Sequence, residues 1–356
     1  GEDLARFDQP RPRSVNAGQP VSDGTARIHA VLKEHEHLLD WEDVPALRAA
    51  AAGSMLYFGG DMRPSPDVEF REVWAGEVPA EWVLAPGADP DRRLLFMHGG
   101  GFVIGSRRTH RTITERLSRR LGVAVLSIDY RLLPEHRRTD GIADCREAYR
   151  WILEHGPDRP GRPRELWVGG DSAGGNLTLM LVAWARDEGL RQVDGVIGLS
   201  PCTDVTFVSP SIRENADSDL FLGPGTETLR RLPKAIVVAI SWWSYRINPS
   251  DPMVSPLRGD LADLPPTLLL ASTAEMLLDD SVRFANQAKA AGSPVELRLW
   301  DHMEHDWPLF APILDEGEAA FDHIADFVAE QRHRRDSRGR SEDPVVVGRE
   351  REPVHT

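Results

Sequence analysis

Ser172 lies in residues 170–174, Gly-Asp-Ser-Ala-Gly, a G-x-S-x-G pattern that is typical of serine nucleophiles. An apolar run over residues 165–168 precedes it, and a helical apolar pattern over residues 177–185 follows it. This order of strand, tight turn and helix exposes the serine hydroxyl at the tip of the turn. The amide of Ala173 would then point to where negative charge develops on an attacked carbonyl. The pattern alone also fits a glycine-rich loop in any α/β protein.

A serine hydroxyl is a weak nucleophile, so it needs a base that is itself oriented by an acid. In one known arrangement the chain order is serine, acid, histidine, with the histidine after the last strand. Here the segment after the last predicted strand contains His302 and His305. The loop after the preceding strand contains Glu275, Asp279 and Asp280. The order of these residues predicts a Ser-acid-His triad and leaves the choice within each group open.

A second glycine cluster, Gly99-Gly100-Gly101, follows His98 at the end of another apolar run. Glycines let the backbone approach a substrate closely and direct its amides at a carbonyl oxygen. Together with Ala173, this loop predicts an oxyanion hole of two or three amide donors.

The elements that must position these residues alternate between short apolar runs and helical patterns. Continuous apolar strands between helices predict a mostly parallel sheet, of about eight strands, that is covered by helices on both faces. The chain has 356 residues, 41% of them hydrophobic and 28% charged, so it can bury a large core.

Three regions flank or interrupt this α/β pattern. The pattern of residues 1–65 predicts an irregular arm followed by helices, and we expect this region to form a lid segment. Residues 66–330 form the predicted catalytic domain, and an aromatic-rich insertion over residues 204–250 is expected to be a second lid segment. Residues 331–356 are charged and poor in apolar side chains, which predicts a disordered tail.

The net charge of −14 argues against nucleic acid and anionic membrane surfaces as partners. No apolar run approaches the length of a membrane span, and the first residues lack signal-peptide features, so we expect a cytoplasmic protein. Cys145 and Cys202 are the only cysteines, which indicates buried thiols and no disulfide framework. Cys/His zinc spacing is absent, so no metal site is expected.

The sequence resembles the bacterial hormone-sensitive-lipase family of α/β-hydrolases over residues 66–330. The similarity rests on several motifs, which are His98-Gly99-Gly100-Gly101-Phe102, Asp129-Tyr130-Arg131-Leu132-Leu133-Pro134-Glu135-His136, Gly170-Asp171-Ser172-Ala173-Gly174-Gly175-Asn176-Leu177, and Asp251-Pro252-Met253-Val254-Ser255-Pro256-Leu257. The resemblance implies the α/β-hydrolase fold with a helical lid. It also implies hydrolysis of carboxylic esters with short to medium acyl chains, without a cofactor.

The resemblance assigns roles by matching positions. Ser172 matches the nucleophile, Gly99, Gly100 and Ala173 match the oxyanion donors, and His305 matches the base. Glu275 matches the acid of the branch that uses glutamate, and Asp279 is expected to cap the following helix. His302 has no counterpart in the family and is expected to be a surface loop residue.

One stretch departs from the family pattern. The family often continues Pro134-Glu135-His136 into a run that contains proline and alanine, whereas Arg137-Arg138-Thr139-Asp140 follows here. We therefore expect a local rearrangement at this point.

The sequence allows three functions other than general ester hydrolysis. The same machinery could open a lactone or remove an acetyl group from a secondary metabolite. A ligand-binding receptor is a different class, and plant gibberellin receptors resemble this family but lack the catalytic histidine, which His305 supplies here. The expected partner is a small ester or lactone, and the resemblance also allows a homodimer.

Overall fold

A computed structural model describes residues 3–34, 44–49, 63–224, 226, 230–311 and 313–341 of the chain. Parts of two predicted lid helices, residues 35–39 and 50–58, lie outside the described residues, as do residues 342–356 of the predicted tail. Within the described part of the chain, no helix is both long enough and apolar enough to cross a membrane.

The centre of the fold is an eight-stranded sheet in the described residues, with the order β1-β2-β4-β3-β5-β6-β7-β8. In chain order the strands are β1 (Glu69–Ala75), β2 (Val78–Leu84), β3 (Asp89–Met97), β4 (Val123–Ile128), β5 (Glu165–Asp171), β6 (Gly195–Leu199), β7 (Thr267–Ser272) and β8 (Val295–Trp300). Strand β2 pairs antiparallel with β1 and β4, and the other pairings are parallel. This confirms the predicted mostly parallel α/β sheet.

Helices cover both faces of the sheet. They are α1 (Asp23–Glu34), α2 (Arg111–Leu121), α3 (Arg138–Ile152), α4 (Ser172–Asp187), α5 (Ser211–Glu214), α6 (Lys234–Tyr245), α7 (Leu278–Ala290) and α8 (Asp315–Ser341). Residues 44–49 are also helical. Successive side chains of a strand point to opposite faces. In β4, Ala124 and Leu126 therefore join one buried cluster with α3, α4 and α7, while Val123 and Val125 join another with α2 and α8.

The C-terminal helix α8 corrects one domain boundary. The sequence predicted that a disordered tail begins at residue 331, but the helix continues to Ser341. Arg332 explains the extension, because its guanidinium donates 2.9 and 2.6 Å hydrogen bonds to the buried carboxylate of Glu165 in β5. A segment that is polar in composition is thus ordered by a tertiary ion pair.

Parallel strands bring their carboxyl ends to one edge of the sheet, where α/β proteins place their sites. The loops after β3, β5, β7 and β8 carry the residues that the sequence singled out. The insertion between β6 and β7 contributes α5 and α6 near this edge.

Candidate active site

The turn between β5 and α4 holds Ser172 in a strained conformation. Strand β5 ends at Asp171, and Ser172, with φ of 49°, is already the first residue of the helix. A Cβ atom on Gly174 would overlap the carbonyl oxygen of Met97 at the end of β3, so only glycine fits there. The strain and the missing side chain together project the serine hydroxyl away from the sheet.

Three of the predicted residues form one continuous hydrogen-bonded chain. The Ser172 hydroxyl lies 2.8 Å from Nε2 of His305, and Nδ1 of the same ring lies 2.8 Å from Oε2 of Glu275. Ser172 is 8% exposed, and His305 and Glu275 are 1% and 0% exposed. With Nδ1–H donating to Glu275, Nε2 is free to accept the serine proton, which is the arrangement that general-base activation requires.

Asp279 and Asp280, the other two candidates for the triad acid, bind groups other than His305. The carboxylate of Asp279 accepts a 2.8 Å hydrogen bond from the amide of Ser211 and another from Arg11. That of Asp280 accepts hydrogen bonds from backbone amides of the loop after β6. Only Glu275, of these three acids, contacts His305 through its side chain.

Two smaller sequence predictions have opposite outcomes. The prediction that Asp279 caps α7 is wrong, because the helix begins at Leu278 with Leu277 in the capping position. The prediction that His302 is a surface residue is confirmed, since its side chain is exposed in the loop after β8.

Asp306 is a second carboxylate beside His305 that sequence reasoning missed. Its Oδ2 atom lies 3.2 Å from Nε2 of His305, and its side chain is 5% exposed. Burial raises the pKa of Asp306 to about 7, against the opposing attraction of the imidazolium. Burial alone would lower the pKa of His305, but the carboxylates of Asp306 and Glu275 outweigh it and raise that pKa well above its ordinary value. In the sequence, the one signal for this role of Asp306 is its position directly after His305.

The glycine loop after β3 requires a correction. The amide of Gly99 donates a 3.0 Å hydrogen bond to Oδ2 of Asp171, so it cannot also donate to a substrate. The assignment of Gly99 as an oxyanion donor is therefore wrong. Within the described part of the chain, the amides of Gly100 and Gly101 donate to no protein acceptor. Gly100 has φ of 111°, a conformation that favours glycine.

Buried polar groups fix the first half of this loop. Nε2 of His110 lies 3.1 Å from the Asp171 oxygen that binds the Gly99 amide. The Tyr130 hydroxyl donates a 2.7 Å hydrogen bond to the carbonyl oxygen of His98, and the two rings stack. Burial and the neighbouring His110 lower the pKa of His98 to about 4, so His98 is neutral near pH 7. These contacts hold the loop without using the amides of Gly100 and Gly101.

The insertion between β6 and β7 also contacts the His305 loop. The Phe221 ring lies over the imidazole of His305, with 6.3 Å between ring centroids. Asp219 is fully buried and accepts a 2.9 Å hydrogen bond from the amide of Met276, next to Glu275. The sequence indicated Phe221 only as one of the aromatic residues of the predicted lid insertion, and nothing local marked Asp219. Among the described residues, no cluster of His, Cys, Asp or Glu could hold a metal ion.

Residues 94–309 match a family model described as the alpha/beta hydrolase fold. A solved esterase of the bacterial hormone-sensitive lipase family superposes with a TM-score of 0.76 at 36% identity, over 88% of this chain and 99% of that one. The chain belongs to this family. An acetyl-hydrolase from Streptomyces hygroscopicus is 32% identical over 82% of this chain and 92% of its own length. An esterase from Acinetobacter venetianus is 33% identical over 74% and 82% of the two chains.

Proposed function

We propose that this carboxylesterase hydrolyses short to medium acyl esters through a Ser172-His305-Glu275 triad and an acyl-enzyme intermediate. The observation that carries the proposal is the unbroken chain of two 2.8 Å contacts from the Ser172 hydroxyl through His305 to Glu275. A serine, a histidine and a carboxylate in this arrangement are what nucleophilic acyl transfer requires.

In the proposed acylation step, His305 takes the proton of Ser172 as its oxygen attacks the ester carbonyl. Glu275 holds the ring in the tautomer with hydrogen on Nδ1 and stabilises the imidazolium. The imidazolium then protonates the leaving alcohol. Water, deprotonated by His305, attacks the acyl-enzyme and releases the acid.

The oxyanion donors in this mechanism are the amides of Gly100, Gly101 and Ala173. The two glycine amides have no protein acceptor in the described residues, and Ala173 lies in the first turn of α4. Amides at a helix start lack intrahelical acceptors and carry partial positive charge. One such donor contributes about 3–4 kcal/mol to the stability of the transition state.

Trapping of the nucleophile tests this mechanism. A p-nitrophenyl phosphonate ester should modify the wild-type protein once, and peptide mass spectrometry should locate the adduct on Ser172. The Ser172→Ala variant should remain unmodified under the same conditions. An adduct on another residue, with Ser172 unmodified, would refute the triad.

Removal of an acetyl group is a second candidate function. The observation that favours it is the similarity to the Streptomyces acetyl-hydrolase, which extends over 92% of that protein. Hydrolysis of acetyl esters much faster than of butyryl and longer esters would favour this function.

The homodimer remains a prediction, which light scattering of the purified protein tests.

A further inference from the structure

Arg138, the first residue of α3, is a buried cation without a counter-ion. Its side chain is 3% exposed, and within the described part of the chain no carboxylate forms an ion pair with it. One hydrogen bond, of 2.7 Å, runs from Nη2 to Oδ1 of Asn176. The buried Nε atom has no hydrogen-bond partner. Arginine stays charged in proteins, so a positive charge with spare donors lies in the interior.

Other buried arginines in this fold are compensated. Arg93 is 1% exposed, and backbone carbonyl oxygens of Pro90, Ile152 and Gly161 accept hydrogen bonds from its guanidinium. Arg283 is 5% exposed, and its Nε donates a 2.6 Å hydrogen bond to a carboxylate. Arg138 differs from both, because within the described residues its guanidinium makes a single hydrogen bond, to Asn176. A buried charge without a counter-ion is destabilising unless something else compensates it.

Arg138 contacts residues of the two segments that also position Ser172, the oxyanion loop and helix α4. The Arg138 guanidinium carbon lies 3.7 Å from the ring centre of Phe102, which directly follows the oxyanion loop. Asn176 lies one helical turn beyond Ser172 in α4. Its amide group also donates to the carbonyl oxygen of Cys202, and the Cys202 amide donates to the carbonyl oxygen of Ser172.

The lid insertion completes this environment. The Tyr245 ring, at the end of α6, meets the Phe102 ring edge-on with 5.9 Å between centroids. Burial lowers the pKa of Arg138, and the groups that oppose this shift are tyrosine and cysteine side chains, with no carboxylate among them. The guanidinium is therefore enclosed by the oxyanion loop, the nucleophile helix and the lid helix.

We propose that Arg138 forms an anion subsite beside the nucleophile, so that the preferred substrate is an ester that itself carries a carboxylate. This inference rests on the esterase function proposed above. Phe102 occupies one face of the planar guanidinium, which leaves N–H groups in its plane for a carboxylate. Arg138 also lies in the run where the sequence departs from the family pattern, as a substrate preference of its own would require.

Paired substrates test the subsite in the wild-type protein. Monoethyl esters of succinic, glutaric and adipic acids place a carboxylate on the acyl side, and ethyl esters of branched neutral acids of equal length are their controls. Acetylated hydroxy acids place the carboxylate on the alcohol side, and acetylated neutral alcohols are their controls. Acid release in a pH-stat gives kcat/KM for each substrate. We expect the carboxylate to raise kcat/KM about 10- to 100-fold in one of the two series, the range of a charge-assisted hydrogen bond.

Three variants separate binding from packing. Arg138→Met should bring the ratio of kcat/KM for the charged ester to kcat/KM for its neutral partner close to one, and Arg138→Lys should keep part of this ratio. Arg137→Met removes the neighbouring exposed guanidinium and should leave the preference unchanged.

Equal loss for charged and neutral esters in Arg138→Met would mean that Arg138 only packs against Phe102, and would overturn the proposal. Equal kcat/KM for both ester classes in the wild type would overturn it without any variant, even if Arg138→Met does not fold. Ser172-dependent hydrolysis of neutral esters without a preference would refute only the subsite. No hydrolysis of any ester would refute the esterase function on which it rests.

Discussion

His305 has a carboxylate near each ring nitrogen. Glu275 lies 2.8 Å from Nδ1, and Asp306 lies 3.2 Å from Nε2, the atom that also faces the Ser172 hydroxyl. Both negative charges favour the imidazolium and raise its pKa above the ordinary value. Asp306, like the triad acid Glu275, is therefore placed to stabilise the protonated form of His305.

The Asp306→Asn variant should shift the acidic limb of the pH profile of kcat/KM to lower pH. The base must be neutral to act, and a carboxylate beside it stabilises the protonated form. Loss of that charge lowers the pKa of His305, so the neutral form is present at lower pH. Initial rates on p-nitrophenyl butyrate between pH 5 and 9 measure the shift. An acidic limb that does not move, or moves upward, would contradict this role for Asp306.

The choice between Glu275 and Asp279 has a direct kinetic test. Glu275→Gln should lower kcat by about 10³- to 10⁴-fold, because the amide no longer fixes the working tautomer of His305. Asp279→Asn removes a carboxylate that binds Ser211 and Arg11, so it should affect stability more than turnover. Steady-state kinetics with thermal melting compares the two variants. A larger loss of kcat in Asp279→Asn would reverse the assignment.

At the scale of elements, the N-terminal region is attached to the loops that carry the site. Nε2 of His29 in α1 lies 2.6 Å from Oε1 of Glu304, the neighbour of His305. Arg48 donates hydrogen bonds to the carbonyl oxygen of Val103, just beyond the oxyanion loop, and to that of Leu133, in the loop after β4. These contacts support the prediction that residues 1–65 contribute to a lid.

The His29–Glu304 contact should make the docking of α1 depend on pH. The Glu304 carboxylate raises the pKa of His29 above its ordinary 6.5, although burial opposes this. The stabilisation is therefore complete below about pH 6.5 and is lost as the pH rises through the higher folded-state pKa. Hydrogen exchange of α1 amides, corrected for intrinsic rates, should show less protection at pH 9 than at pH 6. His29→Gln should remove this difference, and an unchanged difference would exclude His29 as its source.

At the scale of the whole molecule, α8 attaches the C-terminal region to the sheet through Glu165. This carboxylate is fully buried and accepts hydrogen bonds from Arg332 and from the indole of Trp167. Arg92 and Arg335 lie farther away, at 3.7 and 3.6 Å. Arg332 is therefore its main counter-ion.

Arg332→Ala should lower the free energy of unfolding by about 3 kcal/mol, the low end for a broken buried ion pair, because two weaker counter-ions remain. Arg334→Ala is the matched control. It removes an exposed pair with Glu330 on the same helix and should cost less than about 0.5 kcal/mol. Urea unfolding of both variants gives the comparison. Equal values would show that Glu165 does not depend on Arg332.

The mostly parallel sheet and the turn that carries Ser172 could be predicted from sequence, because apolar runs and glycine turns are local signals. The order of the residues left the acid and the histidine open, and only the family resemblance favoured Glu275 and His305. Gly99 was misassigned because its amide is taken by Asp171, a contact between residues 72 positions apart. The extension of α8 depends on the contact of Arg332 with Glu165, 167 positions away, and the unpaired charge of Arg138 depends on which described side chains the fold brings around it. Such contacts, or their absence, leave no mark in a local pattern.

Hydrolysis of p-nitrophenyl esters from acetate to palmitate, by the wild type and by Ser172→Ala, tests the central claim most directly. We predict turnover of the short and medium esters by the wild type and a loss of at least about 10³-fold in the variant, because the nucleophile is gone. The variant should keep the wild-type melting temperature, since one hydroxyl is removed. Wild-type turnover in a folded Ser172→Ala protein would contradict the assignment of Ser172 as the nucleophile.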